Sequence, residues 1–328
     1  MRAAVIGVGG PGLKHAGHIA ASGKAKLVAI ADIDRQKADA AADEHGATAY
    51  TDVCEMLDRE SLDAVFLCTP AWVRSDLIDE IAQRGLALFC EKPPALSLED
   101  ARRCQAAIDR AGILNGVGFM YRWAEVAHRM RELLAGKTVN CCMVRGIWTV
   151  LFWDGLPGWY LIKQQSGGMI LDQGVHLIDV VRYVLQDDVS DVHAFGGNLI
   201  VPKREAMTVE DTVTVNLRFT RGTLGTYAHG WAHRGWIWQF DCIGEDFCLT
   251  CDLSQNQRLS GHIGDEKIDF RSDDDCYVTE VDRFLDAVIA GDQSIIRSSY
   301  ADATRSLAAA LAINRSLDTE QQVRVESS

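Results

Sequence analysis

Short, almost wholly apolar runs alternate with helical patterns over the first 120 residues. Ala3 to Ile6, Ala25 to Ala31, Asp63 to Cys68, Leu86 to Cys90 and Leu114 to Phe119 read as buried strands. Between them, apolar positions recur at helical spacing: Leu13, Ala16, Ile19 and Ala20; Val53 to Leu57; Leu77, Ile78, Ile81 and Ala82; Ala101, Cys104, Ala107 and Ile108. Repeated strand–helix units predict a doubly wound parallel sheet. After Phe119 the periodicity changes. Tyr121 to Leu134 reads as helical, and so does the apolar pattern from Met169 through Val180, Val181 and Leu185. Thr138 to Leu151, Asp191 to Ile200, Thr212 to Phe219, Leu224 to Trp231 and Trp236 to Ile243 predict long antiparallel strands of an open sheet. Val278 to Ile289 and Tyr300 to Leu317 read as amphipathic helices. The chain is thus expected to hold an α/β domain over residues 1–120 and an α+β domain over 121–328 with a large, mainly antiparallel open sheet.

Composition narrows the function classes. The chain has 328 residues, 48% of them hydrophobic, and a formal charge of −13. Such a charge argues against a nucleic-acid or anionic-membrane partner. No run approaches the ~18 apolar residues of a membrane span. The N-terminus runs straight into a strand rather than a signal peptide, so a cytoplasmic protein is expected. Most of the ten cysteines lie in apolar runs, as small buried hydrophobes of a reducing compartment do. Cys248 and Cys251 have CxxC spacing, but no second pair or suitably spaced histidine accompanies them, so no metal site is expected.

The loops after the predicted strands carry the chemistry. Gly7-Val8-Gly9-Gly10-Pro11-Gly12 stands between a strand and a helix. In that context Gly7 permits the tight turn, Gly9 lets the backbone approach a pyrophosphate, and Gly12 lets helix and strand pack closely. Free N–H groups at the helix start would face the phosphates. Pro11 loses no needed hydrogen bond in a first helical turn. Asp32 ends the second strand 20 residues after Gly12, where an acid bonds the adenosine ribose hydroxyls. Its charge repels a 2′-phosphate, so NAD is favoured over NADP, and Arg35 reads as solvated. Gly7, Asp32, Thr69 and Lys92 all fall at carboxyl ends of predicted strands and therefore on one rim, where ligands of such sheets bind.

In the second half, Gly167-Gly168 opens a stretch containing Asp172, Gly174, His176 and Asp179. On a regular helix Asp172 and His176 share a face, and a carboxylate beside an imidazole can serve as an acid/base unit. A capping aspartate and a packed histidine give the same pattern. Trp153 and Trp159 precede this stretch and are candidates for stacking on a sugar ring. Trp231, Trp236 and Trp238 read as core or subunit interface. Lys163, Gln164, Gln165 and His233 could reach substrate hydroxyls, and Glu210-Asp211 reads as a turn.

Together, Gly7 to Gly12, Asp32, Thr69-Pro70, Glu91-Lys92-Pro93 and Gly167-Gly168 with Asp172, Gly174, His176 and Asp179 resemble the Gfo/Idh/MocA family, NAD(P)-dependent oxidoreductases acting mainly on sugars and cyclitols. The resemblance spans almost the whole chain. It implies a Rossmann domain, with Thr69, Pro70, Glu91 and Lys92 lining the dinucleotide site and a cis Lys92–Pro93 peptide. It implies that Lys92 reaches both nicotinamide ribose and substrate hydroxyl, and that Arg122 contacts substrate or the catalytic helix. It also places the late helices back on the nucleotide domain. The family's commoner pattern has a histidine where this chain has Arg74, beside an unusual Trp72.

The expected activity is reversible hydride transfer between NAD and a secondary alcohol of a sugar or cyclitol. His176 would take the proton, Lys92 would hold the oxygen, and Asp172 would orient His176 or bind a neighbouring hydroxyl, with no metal. The reacting carbon must lie ~3–3.5 Å from the nicotinamide, which a cleft between domains would allow. A homodimer or homotetramer through the open sheet is expected. Two alternatives stay open: redox-neutral elimination or epimerisation with NAD retained, and a non-enzymatic dinucleotide sensor.

Overall fold

Six parallel strands build the first sheet of the computed structural model, which describes residues 1–201, 207–255 and 257–326. They are β1 (Arg2–Ile6), β2 (Lys26–Ala31), β3 (Thr48–Tyr50), β4 (Ala64–Leu67), β5 (Ala87–Cys90) and β6 (Asn115–Val117). Their order is β3-β2-β1-β4-β5-β6. Helices α1 (Gly10–Ser22), α2 (Arg35–His45), α3 (Val53–Arg59), α4 (Arg74–Gln83) and α5 (Leu98–Ala111) connect them. From β1 the chain winds outward through β2 and β3, then returns to β4 on the other side. This reversal makes the carboxyl ends of β1 and β4 the switch point where ligands bind.

The central strands are buried on both faces, which is why they read as continuous apolar runs. Phe66 of β4 and Phe89 of β5 stack at 4.9 Å. Phe284, from a helix over Cys276–Ala290, meets both edge-on at 5.2 and 5.4 Å. This packing belongs to a compact unit made of Met1–Met120 and Cys276–Thr304.

A second compact unit comprises Tyr121–Asp275 and Arg305–Ser328. Its elements begin with α6 (Glu125–Leu133), β7 (Cys141–Ile147), α7 (Lys163–Ser166) and α8 (Val175–Leu185). There follow β8 (Val189–Gly197), β9 (Thr212–Phe219), β10 (Leu224–Gly230), β11 (Ile237–Ile243), β12 (Phe247–Asp252), β13 (Arg258–Ile263) and β14 (Glu266–Arg271). After α9 (Cys276–Ala290), α10 (Tyr300–Thr319) leads to β15 (Val323–Arg324). Nine strands form one sheet in the order β14-β13-β12-β11-β7-β10-β9-β8-β15. All its pairings are antiparallel except β10 with β7, so the sheet is mixed at its centre.

The helix expected from Tyr121 begins only at Glu125, after a 3-10 turn over Met120–Arg122. One face of the sheet packs on α8, which is buried along its whole length. Gly146 of β7 admits this approach, because a Cβ there would press on the Leu177 side chain. The outward face is mixed, with Met143, Arg145, Thr214 and Asn216 around a groove of about 500 Å³. The CxxC pair lies on β12, where residues three apart point to opposite faces and cannot share an ion. Among the described residues no cluster of three or more His, Cys, Asp or Glu side chains could hold a metal, and no helix is long and apolar enough to cross a membrane.

Candidate active site

The nucleotide-binding half lies on the β1/β4 rim. Gly7 has φ +86, where a side chain would be strained, and a Cβ would also press on the Thr69 backbone. A Cβ on Gly12 would overlap the Gly7 carbonyl, so only glycine lets α1 start this close to β1. Beside Gly9 and Gly10, by contrast, a Cβ would meet nothing within 4 Å. That open space fronts the first turn of α1, which carries Pro11 and N–H groups with no intrahelical acceptor. Asp32 sits at the end of β2. Its Oδ2 accepts from the Val8 N–H at 2.8 Å and its Oδ1 from the Asp34 N–H at 2.9 Å, which fixes the carboxylate against the glycine loop. Thr69 follows β4, and its Oγ1 is buried without a hydrogen-bond partner. An open glycine cradle, a fixed acid and an unsatisfied buried hydroxyl on one rim suit a dinucleotide.

The Glu91-Lys92-Pro93 turn follows β5, and its Lys92–Pro93 peptide is cis. Glu91 Oε1 meets His15 Nε2 of α1 at 2.7 Å, and Oε2 accepts the Lys92 N–H at 3.0 Å. Burial pushes the Glu91 carboxyl up. The His15 hydrogen bond and charge, then Lys92 and Arg74, outweigh that and hold it down at about 2. Arg74, at the start of α4 and only 4% exposed, donates from Nε (2.8 Å) and Nη2 to the Thr69 carbonyl. Its Nη1 donates to the carbonyls of Glu91 and Pro93. Neither His15 nor Arg74 was assigned to the site from sequence. His15 acts over 76 residues, and no local pattern announces it; for Arg74 the signal was its place at the position of the family's histidine, but not the carbonyls of Glu91 and Pro93 that it reaches.

In the second unit, the stretch carrying Asp172 is not the regular helix expected. Ile170–Gly174 is a π-helical turn leading into α8, so Asp172 and His176 are not related by α-helical geometry. Gly167 and Gly168 both have positive φ (80 and 73), and a Cβ on Gly167 would collide with Leu171. The sheet holds the turn from behind. Trp231 Nε1 donates to Gln173 Oε1 at 3.0 Å. Tyr227 Oη lies 3.4 Å from the Gly174 carbonyl and 2.7 Å from His229 Nδ1. His229 is fully enclosed, and burial lowers its pKa to about 3, so it stays neutral.

His176 is buried, with Tyr121 edge-on at 5.7 Å. Tyr121 leads through Trp238 (6.1 Å) to Trp148 (6.3 Å), whose ring meets Trp153 edge-on at 5.1 Å. Trp159 packs on Tyr160 at 4.1 Å. Burial, then the Asp172 carboxylate, pushes the Tyr160 phenol up, and the Tyr160 ring lies 6.2 Å from Trp231, which bonds Gln173 of the π-turn. Trp153 and Trp159 therefore reach the π-turn and α8 by two separate aromatic paths. Trp231 is core, but core that bonds the π-turn.

Arg122 forks onto Asp179 of α8, Nε to Oδ2 and Nη2 to Oδ1, both 2.7 Å, with side chains 4% and 1% exposed. Ser306 adds a third bond to Asp179 at 2.7 Å. Of the two contacts expected for Arg122, the structure shows the one to the helix. Lys163 is not a ready hydroxyl ligand, because it pairs with Glu210 (3.0 Å) and Asp318 (2.9 Å). Asp211 is not a simple turn residue either. It is fully buried and accepts the Leu199, Ile200 and Val201 N–H groups.

Comparison with known proteins identifies the family of both halves of the chain. Residues 1–119 match the model of an oxidoreductase family with an NAD-binding Rossmann fold, and residues 128–247 match the GFO/IDH/MocA C-terminal domain. The chain is 28% identical to a scyllo-inositol 2-dehydrogenase (NAD(+)) of Bacillus subtilis over 99% of its length and 96% of the relative's. It is also 28% identical to a myo-inositol 2-dehydrogenase of Thermotoga maritima, over 99% of both chains. The crystal structure of a myo-inositol 2-dehydrogenase from Lactobacillus plantarum has the same fold, with a TM-score of 0.86 and 23% identity over 99% of both chains.

Proposed function

Because the chain belongs to the GFO/IDH/MocA oxidoreductase family, we propose that it is an NAD-dependent dehydrogenase acting on a secondary alcohol of a cyclitol or sugar. The observation that carries this is the rim of the first sheet. There the open glycine cradle, Asp32 and the unsatisfied Thr69 hydroxyl suit NAD, and Lys92 follows on the neighbouring turn.

Gly9, Gly10 and Gly12 with the first turn of α1 would hold the pyrophosphate, Asp32 the adenosine ribose, and Thr69, Pro70 and Glu91 the nicotinamide half. When bound, NAD supplies the hydride acceptor. His176 takes the hydroxyl proton as the carbon–hydrogen bond breaks. Lys92 hydrogen-bonds that oxygen and stabilises its developing negative charge, so no metal is needed to polarise it. Asp172 orients His176 or accepts from an adjacent hydroxyl. Trp153 and Trp159 offer apolar faces to the ring's C–H groups. We assign Arg122 to holding α8 through Asp179. The relatives named as inositol 2-dehydrogenases support a cyclitol as the first substrate to try.

The test is NADH formation with myo-inositol, scyllo-inositol and common aldoses, with NAD and NADP in parallel. Turnover with a cyclitol or sugar and NAD is the expected result. Tight NAD binding without NADH formation from any of them would contradict it.

We further propose a homodimer or homotetramer through the open sheet face, which exposes Met143 (39%) and Phe195 (58%). Sedimentation of Phe195→Glu should show smaller species than the parent. The unpaired cysteines support a cytoplasmic protein.

A further inference from the structure

Two turns of the first unit, Thr69-Pro70 after β4 and Glu91-Lys92-Pro93 after β5, leave adjacent parallel strands. Their backbone carbonyls have no strand partner there. One side chain collects them: Arg74 donates to Thr69 from two nitrogens and to Glu91 and Pro93 from a third. Three carbonyls from two loops thus share one planar guanidinium. Glu91 and Pro93 flank Lys92 on both sides, so the contacts bracket the peptide that carries the lysine.

The charge of Arg74 does not rest on a carboxylate of its own. Its guanidinium also lies 3.9 Å from the Cys90 thiol, which burial keeps protonated, with a pKa of about 11, and its charge helps to hold down the Glu91 carboxyl. Burying a guanidinium against carbonyl dipoles alone is unfavourable unless every donor is used. Its rigid fork is the property that reaches three acceptors at fixed angles, which a lysine ammonium or a glutamine amide cannot do. A second tie acts from the opposite side: Glu91 is pinned by His15 of α1, the helix that opens at the glycine loop, and in turn holds the Lys92 N–H.

We infer that Arg74 is a positioning residue: by gathering the Thr69, Glu91 and Pro93 carbonyls it fixes the backbone from which Lys92 projects. The inference rests on the proposal that Lys92 holds the substrate oxygen. Its effect on rate follows from misplacement, since a catalytic group about 1 Å out of place can cost 10²-fold.

The test uses the full chain with Arg74→Gln and Arg74→Lys, and three readouts. Calorimetry gives Kd for NAD. Steady-state kinetics with NAD and myo-inositol gives kcat. The ¹³C-methyl resonance of reductively methylated Lys92, assigned by its loss in Lys92→Ala, reports the lysine's surroundings without any turnover. The expected result is a displaced Lys92 resonance in both variants and kcat lower by about 10-fold or more, with Kd for NAD raised by a smaller factor than kcat falls, since Thr69 and Glu91 are loosened as well. Full kcat in Arg74→Lys would overturn the inference, because charge without the fork would then suffice. An unmoved resonance in Arg74→Gln would overturn it too. Should Arg74→Gln fail to fold, Arg74→Lys decides by the same readouts. If Lys92→Ala keeps full activity, the catalytic assignment of Lys92 fails, while the resonance still decides whether Arg74 places it.

Discussion

Replacing Arg122 with methionine isolates the interaction that anchors α8. The guanidinium makes two parallel bonds of 2.7 Å to Asp179, and both side chains are almost fully enclosed. Methionine fills much of the same volume but leaves a buried carboxylate with reduced compensation. What remains is the Ser306 hydroxyl at 2.7 Å and Arg182 at 3.9 Å. Arg182 cannot simply move over, because it also holds Asp188 and Ser306. Breaking one side of a buried pair costs about 3–5 kcal/mol, and the surviving Ser306 and Arg182 favour the lower end. For a unit of this size each kcal/mol shifts Tm by about 2–4 °C, so a fall of roughly 6–20 °C is expected. Urea unfolding followed by tryptophan fluorescence measures the free-energy loss in the second unit, since Trp72 is the one tryptophan outside it. In Arg122→Met/Asp179→Leu most of the loss should return, because an apolar pair replaces the ions without leaving one unpaired. A loss below about 1 kcal/mol in Arg122→Met, the value of an exposed pair, would refute the reasoning.

Asp32→Ser should narrow the preference for NAD over NADP, measured as the ratio of their Kd values; an unchanged ratio would mean that Asp32 does not read the ribose. Glu91 is held at about 2 against an ordinary 4.5, worth on the order of 3 kcal/mol of stability. A depressed carboxylate gives that stability in full above its unfolded value and loses it as pH falls from about 4.5 toward 2. Glu91→Gln should therefore flatten the acid side of the stability–pH curve, and an unaltered slope would contradict the His15–Glu91 pairing. Tyr227→Phe removes the hydroxyl shared by Gly174 and His229 and should cost about 1–3 kcal/mol by chemical denaturation. A neutral effect would show that the π-turn does not depend on it.

Much of the first unit was legible because its chemistry is local. Gly7 to Gly12, Asp32, Thr69 and Lys92 each sit just past an apolar run, and strand–helix alternation alone puts strand ends on one rim. The short β3 was not legible, since three residues carry no period. The hairpin of β13 and β14 escaped for a related reason: β14 has no fully buried residue, so its alternation of Ile268 and Phe270 with charged residues spans too few positions to stand out. Asp172 and His176 were visible as residue types, but their relation was not. The π-turn is imposed by tertiary bonds from Trp231 and Tyr227 and by the space around Gly167, none of which appears in periodicity. Arg74 shows the same limit. In sequence it is a charged residue at a helix start, and only the fold brings three carbonyls to it.

The central claim is hydride transfer from a carbinol carbon to NAD, and an isotope follows it most directly. The protein is incubated with NAD and myo-inositol carrying deuterium at carbon 2, and the reduced nicotinamide is analysed by mass spectrometry. The account predicts NADH heavier by one mass unit, formed in step with the ketone. Ketone formed alongside unlabelled NADH, or a converted inositol with NAD unchanged, would contradict it.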